Sequence, residues 1–173
     1  MIKASKNFKN VSYTCASRHE LAQICHKYYG LFPTNKFEIP AEAVTLSDYQ
    51  EGMECSSVAM ACEKFNKDSL ILNKVKVYGT TYKPGKAVVL KKESIGELSV
   101  GLIKIMVFFE NKLYFLCKCL QMMQSNHNFY LSQGVTAENV WVLQDQLLDY
   151  YPLTCYGSPP NLRLVLHHFI SEK

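Results

Sequence analysis

The sequence predicts an α+β chain that is mainly β, a small antiparallel barrel with a helical segment in front of it. Three observations carry that prediction. Residues 74–120 are dense in the β-branched and aromatic types that suit a pleated, half-buried surface, among them Val75, Val77, Val88, Val89, Ile103, Ile105, Val107 and Phe109. Turn signals divide this stretch into short pieces, and further strand-like runs follow it. The helical signals fall before it, so residues 1–68 are expected to be a helical and irregular segment packed on a barrel formed by residues 69–173.

Taken in order, residues 1–10 carry Lys3, Lys6 and Lys9 and read as a polar lead-in. Ser17-Arg18-His19-Glu20 matches a capping box, in which the hydroxyl satisfies a first-turn N–H and the carboxylate folds back on the cap. Leu21, Ala22, Cys25, Tyr28 and Tyr29 follow at three- and four-residue spacing, and Gly30 is a C-terminal stop. Residues 31–40 read as a loop and Ala43 to Leu46 as a short strand. Val58, Ala61, Cys62 and Phe65 make an amphipathic helix of residues 56–65, although residues 54–61 read equally well as irregular chain.

Apolar and charged residues alternate from Lys74 to Tyr78, and Gly79 breaks that strand. Lys83-Pro84-Gly85 has proline where a turn wants a fixed φ and glycine where it wants a positive one, which is a type II signal. Gly101 marks a bulge or a barrel corner. Glu110-Asn111-Lys112 separates two apolar runs and predicts a hairpin. Residues 121–128 are polar and read as a loop, residues 129–131 and 140–143 as separate strands, and residues 145–149 as one helical turn ended by Pro152. Residues 153–156 and 162–169 complete the extended pieces.

The chain has 173 residues, 48% of them hydrophobic and 20% charged, which is the composition of a globular domain with a real core. No apolar run approaches the roughly 20 residues of a membrane-spanning helix, and MIKASKNFKN lacks a signal-peptide core, so an intracellular, soluble chain with no membrane partner is expected. Its seven cysteines are odd in number and show no framework spacing, which favours reduced thiols. Charge is the more informative feature. Residues 74–118 hold nine lysines against three glutamates, more than the whole excess of the chain, whose net charge is +4.

Tyr82-Lys83-Pro84-Gly85-Lys86-Ala87-Val88-Val89-Leu90, then Val100-Gly101-Leu102-Ile103-Lys104-Ile105, then the hairpin through Leu113 to Leu120, resemble the opening of SH3-like barrels of the bromo-adjacent homology kind. Residues 77–89 and 149–156 are also similar to a tail region of uncharacterised zinc-finger and transposon-associated animal proteins. The first resemblance implies an SH3-like antiparallel barrel that binds chromatin or protein peptides, within a longer nuclear or transposon-derived protein. One departure is Lys86, where that family has an aspartate.

Readers of methylated lysine hold a desolvated quaternary ammonium against ring faces. Tyr114, Tyr130 and Trp141 are the candidate pocket, and packing of the same rings in the core is the alternative. The lysine-rich strands admit two readings. Lys74, Lys76, Lys83, Lys86, Lys91, Lys92 and Lys104 form either a partner or phosphate-contacting surface for DNA or RNA, or a solvated face with edge lysines that deter aggregation. With only two arginines in the chain, nucleic-acid binding would be directed at the backbone rather than at guanine edges.

Cys25-His26, Cys117 and Cys119 with His127, and His167-His168 lack the ligand spacing of a structural zinc site, so no metal and no cofactor are expected. A cysteine nucleophile at Cys117 or Cys119 with His127 or His167 has no supporting motif, and a non-enzymatic chain is expected. Self-association through a strand edge or the Tyr28-Tyr29 helix is left open.

Overall fold

The computed structural model describes residues 37–50, 56–126, 129–157 and 161–166; the helix expected over residues 17–30 lies outside them. Most of the described chain is strand. The order is β1 (Phe37–Glu38), β2 (Val44–Thr45), α1 (Leu46–Gln50), α2 (Ser56–Lys64), β3 (Leu70–Leu72), β4 (Val75–Val77), β5 (Thr80–Tyr82), β6 (Lys86–Ser94), β7 (Glu97–Phe109), β8 (Lys112–Asn126), β9 (Phe129–Leu143), a short 3₁₀ turn (Gln144–Gln146), β10 (Asp149–Tyr156) and β11 (Arg163–Val165).

Strands β7, β6, β10, β11, β9 and β8 pair in that order and β8 returns to β7, which closes a six-stranded antiparallel barrel. The two strands β3 and β2 extend the sheet from the far end of β7, and β1, β4 and β5 form a separate three-stranded sheet. The hairpin β7–β8 belongs to every part of this plan. Its turn has positive φ at both central residues, Glu110 at 48° and Asn111 at 57°, the type I′ twist that matches paired strands. The register from that turn holds until Ile103↔Cys117 and Ile105↔Leu116, where Lys104 is left over as a bulge.

The bulge decides which side chains face where. Before it Leu98 and Val100, with Leu120 and Met122 across the hairpin, fill the barrel together with Ala87, Val89, Tyr130, Leu153 and Leu164. Beyond it Ile105 and Val107, with Leu116, lie on the same sheet face but meet α2 through Val58, Ala61 and Phe65. The opposite face carries Ile103, Met106, Leu113, Phe115 and Cys117 against Val75, Val77 and Tyr82 of the small sheet. Buried residues thus lie on both faces of one hairpin. The fully buried Tyr82 ties the layers together, its hydroxyl donating to the Tyr150 carbonyl at 2.6 Å.

The turn read at Lys83-Pro84-Gly85-Lys86 forms, with φ +81° at Gly85 and the Lys86 N–H on the Lys83 carbonyl at 3.3 Å. The short strand and the amphipathic helix expected within residues 43–65 form as β2 and α2. Residues 121–126 are not a loop. They continue β8, because Met122 is buried in the barrel while Gln121 is exposed, so polarity there marks a wet face. The two runs read at residues 129–131 and 140–143 are the ends of one strand, β9, whose middle is interrupted by register shifts. Pro152 lies inside β10, in the irregular stretch between the Asp149 and Leu153 pairings, where a missing N–H costs no ladder bond.

Gly101, read as a bulge or a barrel corner, is paired in register with Cys119, and the bulge of β7 against β8 falls at Lys104. Gly101 is required for another reason: a Cβ there would stand 2.8 Å from the Cys117 Cβ and 2.9 Å from its sulfur. Neither atom can withdraw, because Cys117 is itself fully buried against the small sheet. Gly101→Ala is therefore expected to cost about 1–3 kcal/mol in urea unfolding, the usual range for overpacking a tight core, and an unchanged midpoint would contradict this packing.

Candidate functional site

Helix α2 packs onto the sheet by one stripe, and its last hydrogen bond, from the Phe65 N–H to the Ala61 carbonyl at 2.9 Å, carries the turn on to Phe65. Phe65 then drops between side chains of three successive strands. Its ring centroid lies 5.9 Å from that of Phe109 on β7, 5.0 Å from Tyr114 on β8 and 4.9 Å from Trp141 on β9. The Phe109 and Trp141 contacts are edge-to-face, the arrangement that ring quadrupoles favour.

Over this cluster lies the ammonium of Lys64. Its Nζ is 5.3 Å from the Trp141 centroid and 5.7 Å from those of Tyr114 and Phe65, within the range in which a cation is held by ring faces. Tyr114 and Trp141 are only half-buried, and Lys64 is exposed. The site is a shallow aromatic platform open to solvent, with one cation of the chain already on it.

Two of the three aromatics read from the sequence therefore meet, and the third does not. Tyr130 is 8% exposed and sits in the barrel core beside Leu120 and Met122. Phe65, Phe109 and Lys64 were not read as part of a site. Only the heptad-like stripe of α2 pointed Phe65 inward, and no local signal says which strands it meets.

The lysines are spread over several elements. Lys76 on β4 pairs with Glu38 on β1 at 3.0 Å, and Lys91 on β6 pairs with Glu93 at 2.8 Å. Lys74 is exposed between β3 and β4, and Lys92 is half-buried on β6. Lys83, Lys86 and Lys104 are neighbours along the backbone: the Gly85 N–H donates to the Ile103 carbonyl at 2.9 Å, which sets the turn bearing the first two beside the bulge bearing the third. The Lys86 ammonium also donates to Thr154 Oγ1 at 2.6 Å.

Burial pushes the Cys117 thiol up to about 12, so at neutral pH it is a packed, uncharged group. Cys119 and Cys155 are shifted upward for the same reason, and Cys62, Cys117, Cys119 and Cys155 are all free thiols. His127 and His167, the bases considered for a cysteine nucleophile, lie outside the described residues, as do Cys25, His26 and His168. Among the described residues no group of three His, Cys, Asp or Glu side chains is placed to hold a metal, and no helix is long and apolar enough to cross a membrane.

No protein-family model, curated protein or solved structure matches the chain. Its function is therefore argued from the platform itself.

Trp141 is the only tryptophan in the chain, which makes the platform directly observable. Phe65→Ala is expected to destabilise the protein by about 3–5 kcal/mol, the usual cost of removing a buried phenyl ring, and to move Trp141 emission to the red in the folded state. A folded variant with unchanged emission would mean that Phe65 does not cover Trp141.

Proposed function

We propose that the chain is a non-enzymatic interaction module that binds a protein partner by taking a cationic side chain onto the Phe65–Tyr114–Trp141 platform. The observation that carries this reading is the position of the Lys64 ammonium over all three rings. A surface that holds one ammonium by ring faces has the chemistry to hold another. A methylated ammonium fits best, since it sheds water more readily and keeps its charge. Lysine-rich peptides of the kind found in chromatin are the partner class we assign. The closed antiparallel barrel supports placing the module with SH3-like barrels of the bromo-adjacent homology kind, in a longer nuclear or transposon-derived protein.

A second reading has one specific observation behind it. Lys83, Lys86 and Lys104 surround one turn, and the ion pairs of Lys76 and Lys91 do not involve them. Three cations so placed suit phosphate oxygens of DNA or RNA, with binding that weakens steeply as salt rises.

Titration of Trp141 fluorescence with a peptide carrying trimethyl-lysine, beside its unmodified twin, tests the first reading. Lys64→Ala is expected to tighten the methylated peptide by about 2- to 30-fold, the range of a cation–π contact removed as competitor, and Tyr114→Ala to weaken it. No fluorescence response in either wild type or Lys64→Ala would end the proposal. In the same buffers, salt-sensitive binding of a random-sequence duplex that Lys83→Ala and Lys104→Ala abolish would favour the phosphate reading instead.

A further inference from the structure

Strand β10 carries an outward row beside the basic turn. Leu153 and Cys155 pack into the barrel, so Thr154 and Tyr156, which alternate with them, stand on its outer wall, and Tyr156 is 55% exposed. The flanking strands set cations beside this row. Thr154 pairs with Lys86 on β6, whose ammonium donates to Thr154 Oγ1 at 2.6 Å, and Tyr156 pairs with Arg163 on β11. Ala87 and Leu164 face inward, which turns Lys86 and Arg163 out with their partners. Lys83 opens the turn that leads into Lys86.

Along the backbone the path from Lys86 through Thr154 and Tyr156 to Arg163 crosses three neighbouring strands and is about 15 Å long, from the usual spacings within and between strands. Its charge has one sign. Residues 83–92, 150–157 and 161–166 contain no acidic side chain, and Asp149 lies at the opposite end of β10, where its carboxylate accepts the Tyr151 N–H at 3.0 Å. Cation, exposed ring, cation is the order in which a single nucleic-acid strand presents phosphate, base and phosphate. We propose that this wall binds single-stranded nucleic acid, with Lys83, Lys86 and Arg163 on phosphates and an unpaired base stacked on the Tyr156 ring. The inference rests on the phosphate reading of the basic turn and gives that reading its substrate class.

Curvature selects a single strand over a duplex. Strands β6, β10 and β11 follow one another around a closed barrel, so the wall is convex and Lys86 and Arg163 lean away on either side of Tyr156. A flexible strand bends over such a surface and turns a base onto the ring. A duplex is stiff over this length, touches a convex wall along one line and keeps its bases stacked out of reach. Stacking and phosphate contacts ask for no particular base edge, so the binding tolerates any sequence.

Fluorescence anisotropy of the full chain with a labelled oligothymidylate of about 16 nucleotides, the upper end of site sizes on small barrels, tests this beside a duplex of the same length, with oligouridylate as the RNA arm. At least one single strand is expected to bind more tightly than the duplex, and to weaken as salt rises. Tyr156→Ala is expected to weaken that binding by about 5-fold or more, the effect of one lost base–ring stack, while Tyr156→Phe keeps it. Arg163→Gln is expected to weaken it too and to lower the salt slope by about 0.7, the value for one phosphate contact on a single strand. Single-strand binding that Tyr156→Ala leaves unchanged, or a duplex bound at least as tightly, would overturn this path and leave the phosphate reading standing. Absence of binding to strand and duplex alike would remove both.

Discussion

The register of the β7–β8 hairpin is the constraint on which the rest of this structure depends. A strand pair with a side-chain period of two exchanges its faces when it slips by one residue. Here both faces are occupied, so a slip would expose three sets of apolar side chains at once. The two-residue turn at Glu110 and Asn111 fixes where pairing starts, and the Lys104 bulge resets it once. After the reset Ile105 and Val107 share a face with Leu98 and Val100 despite their different parity. One hairpin thereby serves as barrel wall at one end and as the floor for helix α2 at the other.

The aromatic platform follows from that second use. Phe109 beside the turn, Tyr114 just after it and Trp141 on the neighbouring strand stand on the floor that α2 reaches, and Phe65 at the helix end closes them into a cluster. Lys64 lies over the cluster because it precedes Phe65 at the end of the helix and its long stem spans the rings while its head stays wet. The cluster is placed here by tertiary packing and not by a sequence motif.

What could be read from the sequence was local. The Pro84-Gly85 turn, the Glu110-Asn111 hairpin and helix α2 each depend on a few adjacent residues, and each formed where its residues said. The lengths of β8 and β9 could not be read. Both run along a barrel wall with one wet face, so Gln121 and Gln124 looked like loop residues, and bulges broke the alternation that would have shown otherwise. The partners of Tyr114 and Trp141 were hidden for a different reason. Tyr114, Tyr130 and Trp141 are alike in sequence terms, and only barrel closure sends Tyr130 inward while the other two meet Phe65. The lysines were legible as an excess but not as a surface, because cross-strand pairing with Glu38 could not be foreseen.

If one hairpin couples the barrel and the helix-bearing floor, the two ends must open together. Native-state hydrogen exchange along β7 and β8 measures this most directly. The account predicts that amides of residues 98–102 and 118–122, in the barrel, exchange with the same opening free energy as those of residues 105–108 and 113–116, under α2. Early exchange of the α2 end while the barrel stays protected would show two independent units and contradict the account.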